Sequence, residues 1–180
     1  MSNSRSHTRS AAIVVALVAS IFAPAATFAA DGKASGNVAP ARHCVSTPKH
    51  ATQCFATFSA GVSFATGGRE TTNDPGVAMR QVTAVPLSGG LEIRAVLFVN
   101  SGYGGSTFTI YDYDVCTWKQ PSMPSGWDNV VSSAQVGSRC GISLYENPTY
   151  GGAQLNIRAS TTYVGDAMND RTSSWALFVQ

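Results

Sequence analysis

"LFVNSGYGGSTFTI", residues 97–110, lies over "LYENPTYGGAQLNI", residues 144–157, without a gap. In each copy an aromatic, Phe98 or Tyr145, is followed five residues later by Tyr103 or Tyr150 and seven later by Gly105 or Gly152. Behind each copy stands a second matching element, "DNVVSS" (residues 128–133) in the first half and "NDRTSS" (169–174) in the second. One polar hexapeptide is ordinary turn composition. Two of them, the same way round behind the same aromatic-glycine element, mark an internal duplication.

The surrounding pattern is strand-like. Residues 91–100 alternate and then run continuously apolar, and 108–111, 142–145, 154–157 and 175–179 give further short apolar segments. Gly, Ser and Tyr fill the turns between them. Short strands at this spacing point to an antiparallel sandwich or barrel. Gly105 and Gly152 belong where a folded hairpin needs positive φ, or where an aromatic ring packs on bare backbone. They are expected to be structural.

The two paired elements resemble the Greek-key motif of the βγ-crystallin superfamily. That motif opens with an aromatic, four residues, an aromatic, one residue and Gly, and closes with Asn/Asp-Asn/Asp-x-x-Ser/Thr-Ser. Both halves match both elements, so the resemblance covers residues 91–180. It implies a mostly β chain, a βγ-crystallin-like double Greek-key sandwich over 90–180 preceded by a short N-terminal helical segment. It also implies calcium, a hard cation that takes six to eight oxygen ligands. Carried over from calcium-binding members, one site takes Asp128 or Asn129, the Val130 carbonyl, Ser132 and the Glu146 carbonyl. Its mate takes Asn169 or Asp170, the Arg171 carbonyl, Ser173 and the Val99 carbonyl. Such motif-swapped sites would clamp the two halves together. Each holds a single full carboxylate, so the affinity expected is modest, about micromolar or weaker.

The N-terminus carries a different message. Arg5 and Arg9 precede an uncharged apolar run over 11–22, and small residues follow up to Ala29 and Ala30. This is the pattern of a secretory signal over 1–30, too short to span a bilayer. The protein is therefore expected to be secreted and extracellular, without a membrane anchor. Removing those residues takes two of the twelve basic side chains and none of the ten acidic ones, leaving no net charge. A neutral chain without a basic cluster offers no electrostatic hold on nucleic acid or anionic lipid.

Four cysteines remain in an exported chain: Cys44, Cys54, Cys116 and Cys140. Two disulfides are expected, and of three possible pairings the local ones, Cys44–Cys54 and Cys116–Cys140, are favoured because each lies within one segment. The second would close a loop of about 25 residues and contribute roughly 3 kcal/mol. His43, Cys44, His50 and Cys54 are zinc-ligand types, but their spacing matches no common site. A flexible lead-in is expected over 31–41. Residues 42–89 form a small unit with a helix over 52–66, stopped by Thr66-Gly67-Gly68, and a turn at Asn73-Asp74-Pro75-Gly76.

The first repeat holds six extra residues between its two elements, in a stretch containing Cys116, Trp118, Lys119, Pro121 and Pro124. A disulfide-anchored, proline-stiffened loop (112–127) is pre-organised for a protein partner. Exported bacterial proteins of the same superfamily include metallopeptidase inhibitors, so the resemblance offers an extracellular protease as the alternative partner, met by Cys116, Trp118 and Lys119. Catalysis is not expected. Only two histidines remain after the signal, and no nucleophile, metal-protease or phosphate-loop motif occurs.

Overall fold

The computed structural model describes residues 40–84, 91–113, 116–137 and 139–180. The expected export signal and nearly all of the lead-in lie outside these residues. In chain order the elements are β1 (His43–Thr47), β2 (His50–Phe55), α1 (Phe58–Thr66), α2 (Pro75–Ala84), β3 (Glu92–Asn100) and β4 (Gly104–Asp112). Then come β5 (Lys119–Gln120), β6 (Ser133–Val136), β7 (Cys140–Asn147), β8 (Gly151–Ile157) and β9 (Ser174–Val179). Among the described residues no helix is long and apolar enough to cross a membrane.

The duplication is visible in the backbone itself. β3–β4 and β7–β8 are hairpins closed by Asn100 opposite Gly104 and Asn147 opposite Gly151. Their turns repeat almost angle for angle: φ is 69°, 64° and 78° at Gly102, Tyr103 and Gly105, against 57°, 62° and 75° at Thr149, Tyr150 and Gly152. In each turn the two motif aromatics pack on one another, Phe98 with Tyr103 at 5.5 Å and Tyr145 with Tyr150 at 5.6 Å between ring centroids. These contacts hold the hairpin folded over its own strand.

Each motif lends a segment to the other's sheet, which makes the pair a double Greek key. β5 of the first motif pairs with β9 of the second, and Thr161 of the second bridges Ala134 on β6 of the first. One sheet runs β2-β1-β4-β3-β6 and the other β5-β9-β7-β8. Between them lies an apolar core that includes Leu97, Phe108, Ile110, Trp127, Ile142, Leu144, Trp175 and Leu177. Phe108 touches Trp127 and Trp175, with ring centroids 5.3 and 6.4 Å apart. Full burial of each such side chain contributes about 1.5–3 kcal/mol. The chain is mostly β, a double Greek-key sandwich, as the motif match implied.

The first sheet has a second covered face. Ile93, Val96, Phe98 and Tyr111 point away from the sandwich into a cluster with Val45, Phe58, Val62 and Ala78 from β1, α1 and α2. That is why β3 is buried at successive positions and reads as a continuous apolar run. The Tyr111 hydroxyl is sealed in this layer, and its pKa is pushed up by burial, with a smaller push from Glu70. The residues ahead of the sandwich are thus woven into it. β1 runs parallel to β4, with Cys44 opposite Phe108, and residues from Ala39 to Gln180 form one unit.

Two local expectations need correction. The helix over 52–66 begins only at Phe58. Residues 50–55 form β2 instead, because Cys54 is held opposite Cys44 across the β1–β2 ladder. Thr57 supplies the start, its side chain accepting the Ala60 N–H, and Gly67 at φ 64° supplies the expected stop. The Asn73-Asp74-Pro75-Gly76 stretch is a helix start as much as a turn. Asp74 caps α2 by accepting the Val77 N–H at 3.1 Å, and Pro75 occupies the first helical position. Both disulfides are the local ones, Cys44–Cys54 and Cys116–Cys140.

The hairpin glycines offer a direct test. A Cβ on Gly105 would lie 2.6 Å from Val99 Cγ2 and 2.8 Å from Asn100 Nδ2, whereas one on Gly102 meets nothing within 4 Å. Gly102→Ala should cost only the left-handed penalty, about 1–2 kcal/mol. Gly105→Ala, and its counterpart Gly152→Ala, should cost clearly more. Urea denaturation of the three variants measures this, and equal losses would show that the close approach does not matter.

Candidate functional site

The two hexapeptides lie back to back. Asn129 and Asp170, the second residue of each, take left-handed backbone at φ 58° and 55°, a conformation that Asn and Asp tolerate better than other side chains. There the Asn129 N–H donates to the Thr172 carbonyl at 3.0 Å and the Asp170 N–H to the Val131 carbonyl at 3.1 Å. The chain then leads into β6 or β9, and each hexapeptide's first serine returns to its own hairpin. The Ser132 N–H donates to the Phe98 carbonyl at 2.9 Å, and the Ser173 N–H to the Tyr145 carbonyl at 2.8 Å.

This places oxygens together. Ser132 Oγ donates to the Val99 carbonyl at 2.9 Å and lies 3.3 Å from Asp170 Oδ1. Ser173 Oγ lies 3.3 Å from Asn129 Oδ1. A hydroxyl has one proton, so Ser132 satisfies one of its two acceptors at a time, and three oxygens share a single hydrogen. Asp170 Oδ2 accepts from the Asn169 amide at 2.8 Å, and Asp128 Oδ2 from the Asn129 amide at 3.3 Å. Asp128 and Asn169 therefore orient their neighbours.

Two clefts open over these groups. The first, about 440 Å³, is lined by Val99, Val130, Asn129 and Asp170, with Trp127 and Arg42 at its sides. The second, about 370 Å³, is lined by Asn129, Glu146, Asp170, Arg171 and Ser173. Either is large enough to admit several waters at about 30 Å³ each. The Glu146 carboxyl is held below its usual range by the Ala153 backbone N–H and by the Arg171 guanidinium paired with it.

All ten residues named from the resemblance meet around these clefts or directly behind them, but the grouping differs. The resemblance set Ser132 with the Glu146 carbonyl and Ser173 with the Val99 carbonyl. The structure sets Ser132 with Val99, and places Ser173 on the cleft that Glu146 lines. β6 pairs with its own motif's β3, Phe98 opposite Ser133, so only the acid or amide crosses between motifs. Among the described residues no three or more His, Cys, Asp or Glu cluster together. Hydroxyls, an amide and carbonyls make up most of this donor set.

The last serine of each hexapeptide has another task. Ser133 Oγ donates to the Asn100 carbonyl at 2.6 Å and accepts the Tyr103 N–H at 3.1 Å. Ser174 does the same with Asn147 and Tyr150 at 2.7 and 3.1 Å. Both are fully buried. They lock the hairpin turns and do not face the clefts.

The inserted loop is tied inward. Asp112, buried, accepts the Tyr113 N–H at 2.8 Å and the Trp118 N–H at 3.3 Å. Trp118 packs edge-on against Trp175 at 5.1 Å, and its carbonyl accepts the Leu177 N–H at 2.9 Å. Cys116 is buried in its disulfide. Of the three residues singled out for a partner, Lys119 alone is exposed, with its ammonium 5.2 Å from the Tyr150 ring centroid. The two histidines lie on β1 and β2, where His43 Nδ1 meets Thr107 Oγ1 at 3.0 Å and burial lowers its pKa.

No protein-family model and no curated protein matches this chain. Among solved structures, a βγ-crystallin domain from Clostridium beijerinckii is similar at 18% identity, with 47% of this chain and 97% of that one covered and a TM-score of 0.40. A βγ-crystallin domain from Flavobacterium johnsoniae is similar at 16% identity, covering 48% and 94%, with a TM-score of 0.40. A structure concerned with the evolution of the eye lens βγ-crystallin domain fold gives 18%, 51% and 88%, and the same TM-score of 0.40.

The two kinds of serine should separate by mutation. Ser133→Ala or Ser174→Ala strands a part-buried carbonyl and N–H of the hairpin turn, at up to about 1 kcal/mol for each group. Thermal and urea melts should show that loss irrespective of added calcium. Ser132→Ala and Ser173→Ala, at the clefts, should cost less in the absence of metal. Equal losses at all four positions would remove the distinction.

Proposed function

We propose that this is an exported calcium-binding protein of βγ-crystallin type, in which bound cations stabilise the join between the two Greek keys. The observation that carries the reading is the oxygen cluster of Val99 O, Ser132 Oγ and Asp170 Oδ1, which shares one proton among three oxygens. Such a group is short of positive charge, and its donors are the hard oxygens that calcium prefers. A calcium ion there would supply the missing charge. The hydroxyl and the carbonyl belong to one motif and the carboxylate to the other, so holding them together holds the motifs together. Waters from the cleft complete the shell. Two disulfides in a small domain suit the oxidising environment that the N-terminal signal pattern implies.

Ligand binding to the folded state alone stabilises it by about 2.7 kcal/mol at a hundredfold excess over Kd. The melting temperature should therefore rise with calcium and fall back with a chelator, and Asp170→Ala should abolish the response. An unchanged melting temperature, with no heat in a calorimetric calcium titration, would refute the proposal.

A further inference from the structure

The two disulfides are placed differently. Cys116 and Cys140 are both buried, at 3% and 0% exposure. Cys44–Cys54 is one-sided. Cys44 is fully buried in the core between the sheets, whereas Cys54 is exposed on β2. That strand is an edge of the first sheet and pairs with β1 alone. Its residues, His50 to Phe55, include no Asp or Glu to repel an approaching anion. Behind the bond, the Trp127 indole Nε1–H donates to Cys44 Sγ at 3.1 Å in a buried contact. An indole has one N–H to give, and this one is spent on the inner sulfur.

We propose that Cys54 is a site of reversible thiolation, where a low-molecular-weight thiol exchanges into the Cys44–Cys54 disulfide and Cys44 is the leaving sulfur. The small thiol's thiolate attacks Cys54 Sγ, and a new S–S bond forms there as the Cys44–Cys54 bond breaks. The electron pair leaves on Cys44 Sγ, which takes up a proton equivalent to the one the attacking thiol released. One disulfide is exchanged for another, with no net oxidation. Access fixes the direction, since exchange begins only at a sulfur that a thiolate can reach. A thiolate emerging in an apolar core is unfavourable, and the Trp127 N–H stabilises it as its charge develops. β1 stays paired with β4, so Cys44 remains in place to attack the mixed disulfide and restore the native bond. Trp127 directly precedes the first hexapeptide and lines the first cleft, which puts the change beside the join of the two motifs. The site needs no metal and is independent of the calcium reading.

Incubating the oxidised protein with excess N-acetylcysteine, followed by acid quenching and tandem mass spectrometry, locates the adduct. One adduct is expected, on Cys54, with Cys116–Cys140 intact. Adducts at Cys116 or Cys140 forming at a similar rate would overturn the selectivity, and an adduct on Cys44 would overturn the direction. No adduct on the folded protein, where the urea-unfolded chain reacts, would overturn the site. Trp127→Phe, checked by circular dichroism, should slow exchange about tenfold through loss of one hydrogen bond to a charged sulfur. An unchanged or faster rate in the folded variant would overturn the role given to Trp127. The wild type tests the same role without a substitution: thiolation should shift the indole N–H resonance of Trp127 and leave that of Trp118 in place. An unmoved Trp127 resonance would overturn it.

Discussion

Two backbone hydrogen bonds, Asn129 N–H to the Thr172 carbonyl and Asp170 N–H to the Val131 carbonyl, fix the hexapeptides against one another. Each needs a residue in left-handed backbone at the second position, and so each favours Asn or Asp there on conformational grounds alone. The same constraint turns that side chain toward the opposite motif. Backbone conformation and the contact across the join thus select the same residue types at the same place. The exchanged segments extend the effect on either side: Gly102 N–H reaches the Thr162 carbonyl at 2.8 Å, and Thr149 N–H the Pro121 carbonyl at 2.7 Å. Each hairpin turn thus takes one backbone hydrogen bond from the other motif.

The sandwich was legible because its signal is duplicated and local. Aromatic, tyrosine and glycine at fixed offsets specify one turn, and finding them twice specified a two-motif fold. The helical layer was harder to see. Its trace lies in a difference between the repeats: Val96 and Tyr111 on the outer face of the first sheet align with Ser143 and Arg158 on the second. Where the first repeat is apolar on both faces, something must cover it, and α1 and α2 do. β1, β6 and α2 went unread because each is short or mixed in polarity, and pairing with β4, β3 and the apolar face of β3 gives them their stability. Residues 52–55 mimic a helical stripe, since Phe55 and Phe58 fall three apart. The Cys44–Cys54 pairing overrides that local periodicity.

At the site, residue identity was legible and grouping was not. Ser132 and Ser173 are interchangeable in sequence, because each follows the same pattern. Which carbonyl each meets depends on which strand the following residues join. Ser133 pairs opposite Phe98, and that long-range ladder sets Ser132 beside Val99. Arg171 was named for its carbonyl only. Its guanidinium matters because Glu146, twenty-five positions away, folds back to the same cleft.

The order of acid and amide in the two hexapeptides carries the most information per residue. In a fold with near two-fold internal symmetry, equal sites require the charged residue at the same position in both copies. Here the charge sits first in one copy and second in the other, and only the second position crosses the interface. The copy that lacks a crossing carboxylate is also the one whose cleft pairs a guanidinium with a carboxylate, Arg171 with Glu146. The disulfide Cys116–Cys140 fastens the approach to the exchanged strand β5 onto β7, away from the hexapeptides. The double Greek key is therefore held by covalent, hydrogen-bonded and packing contacts at separate places.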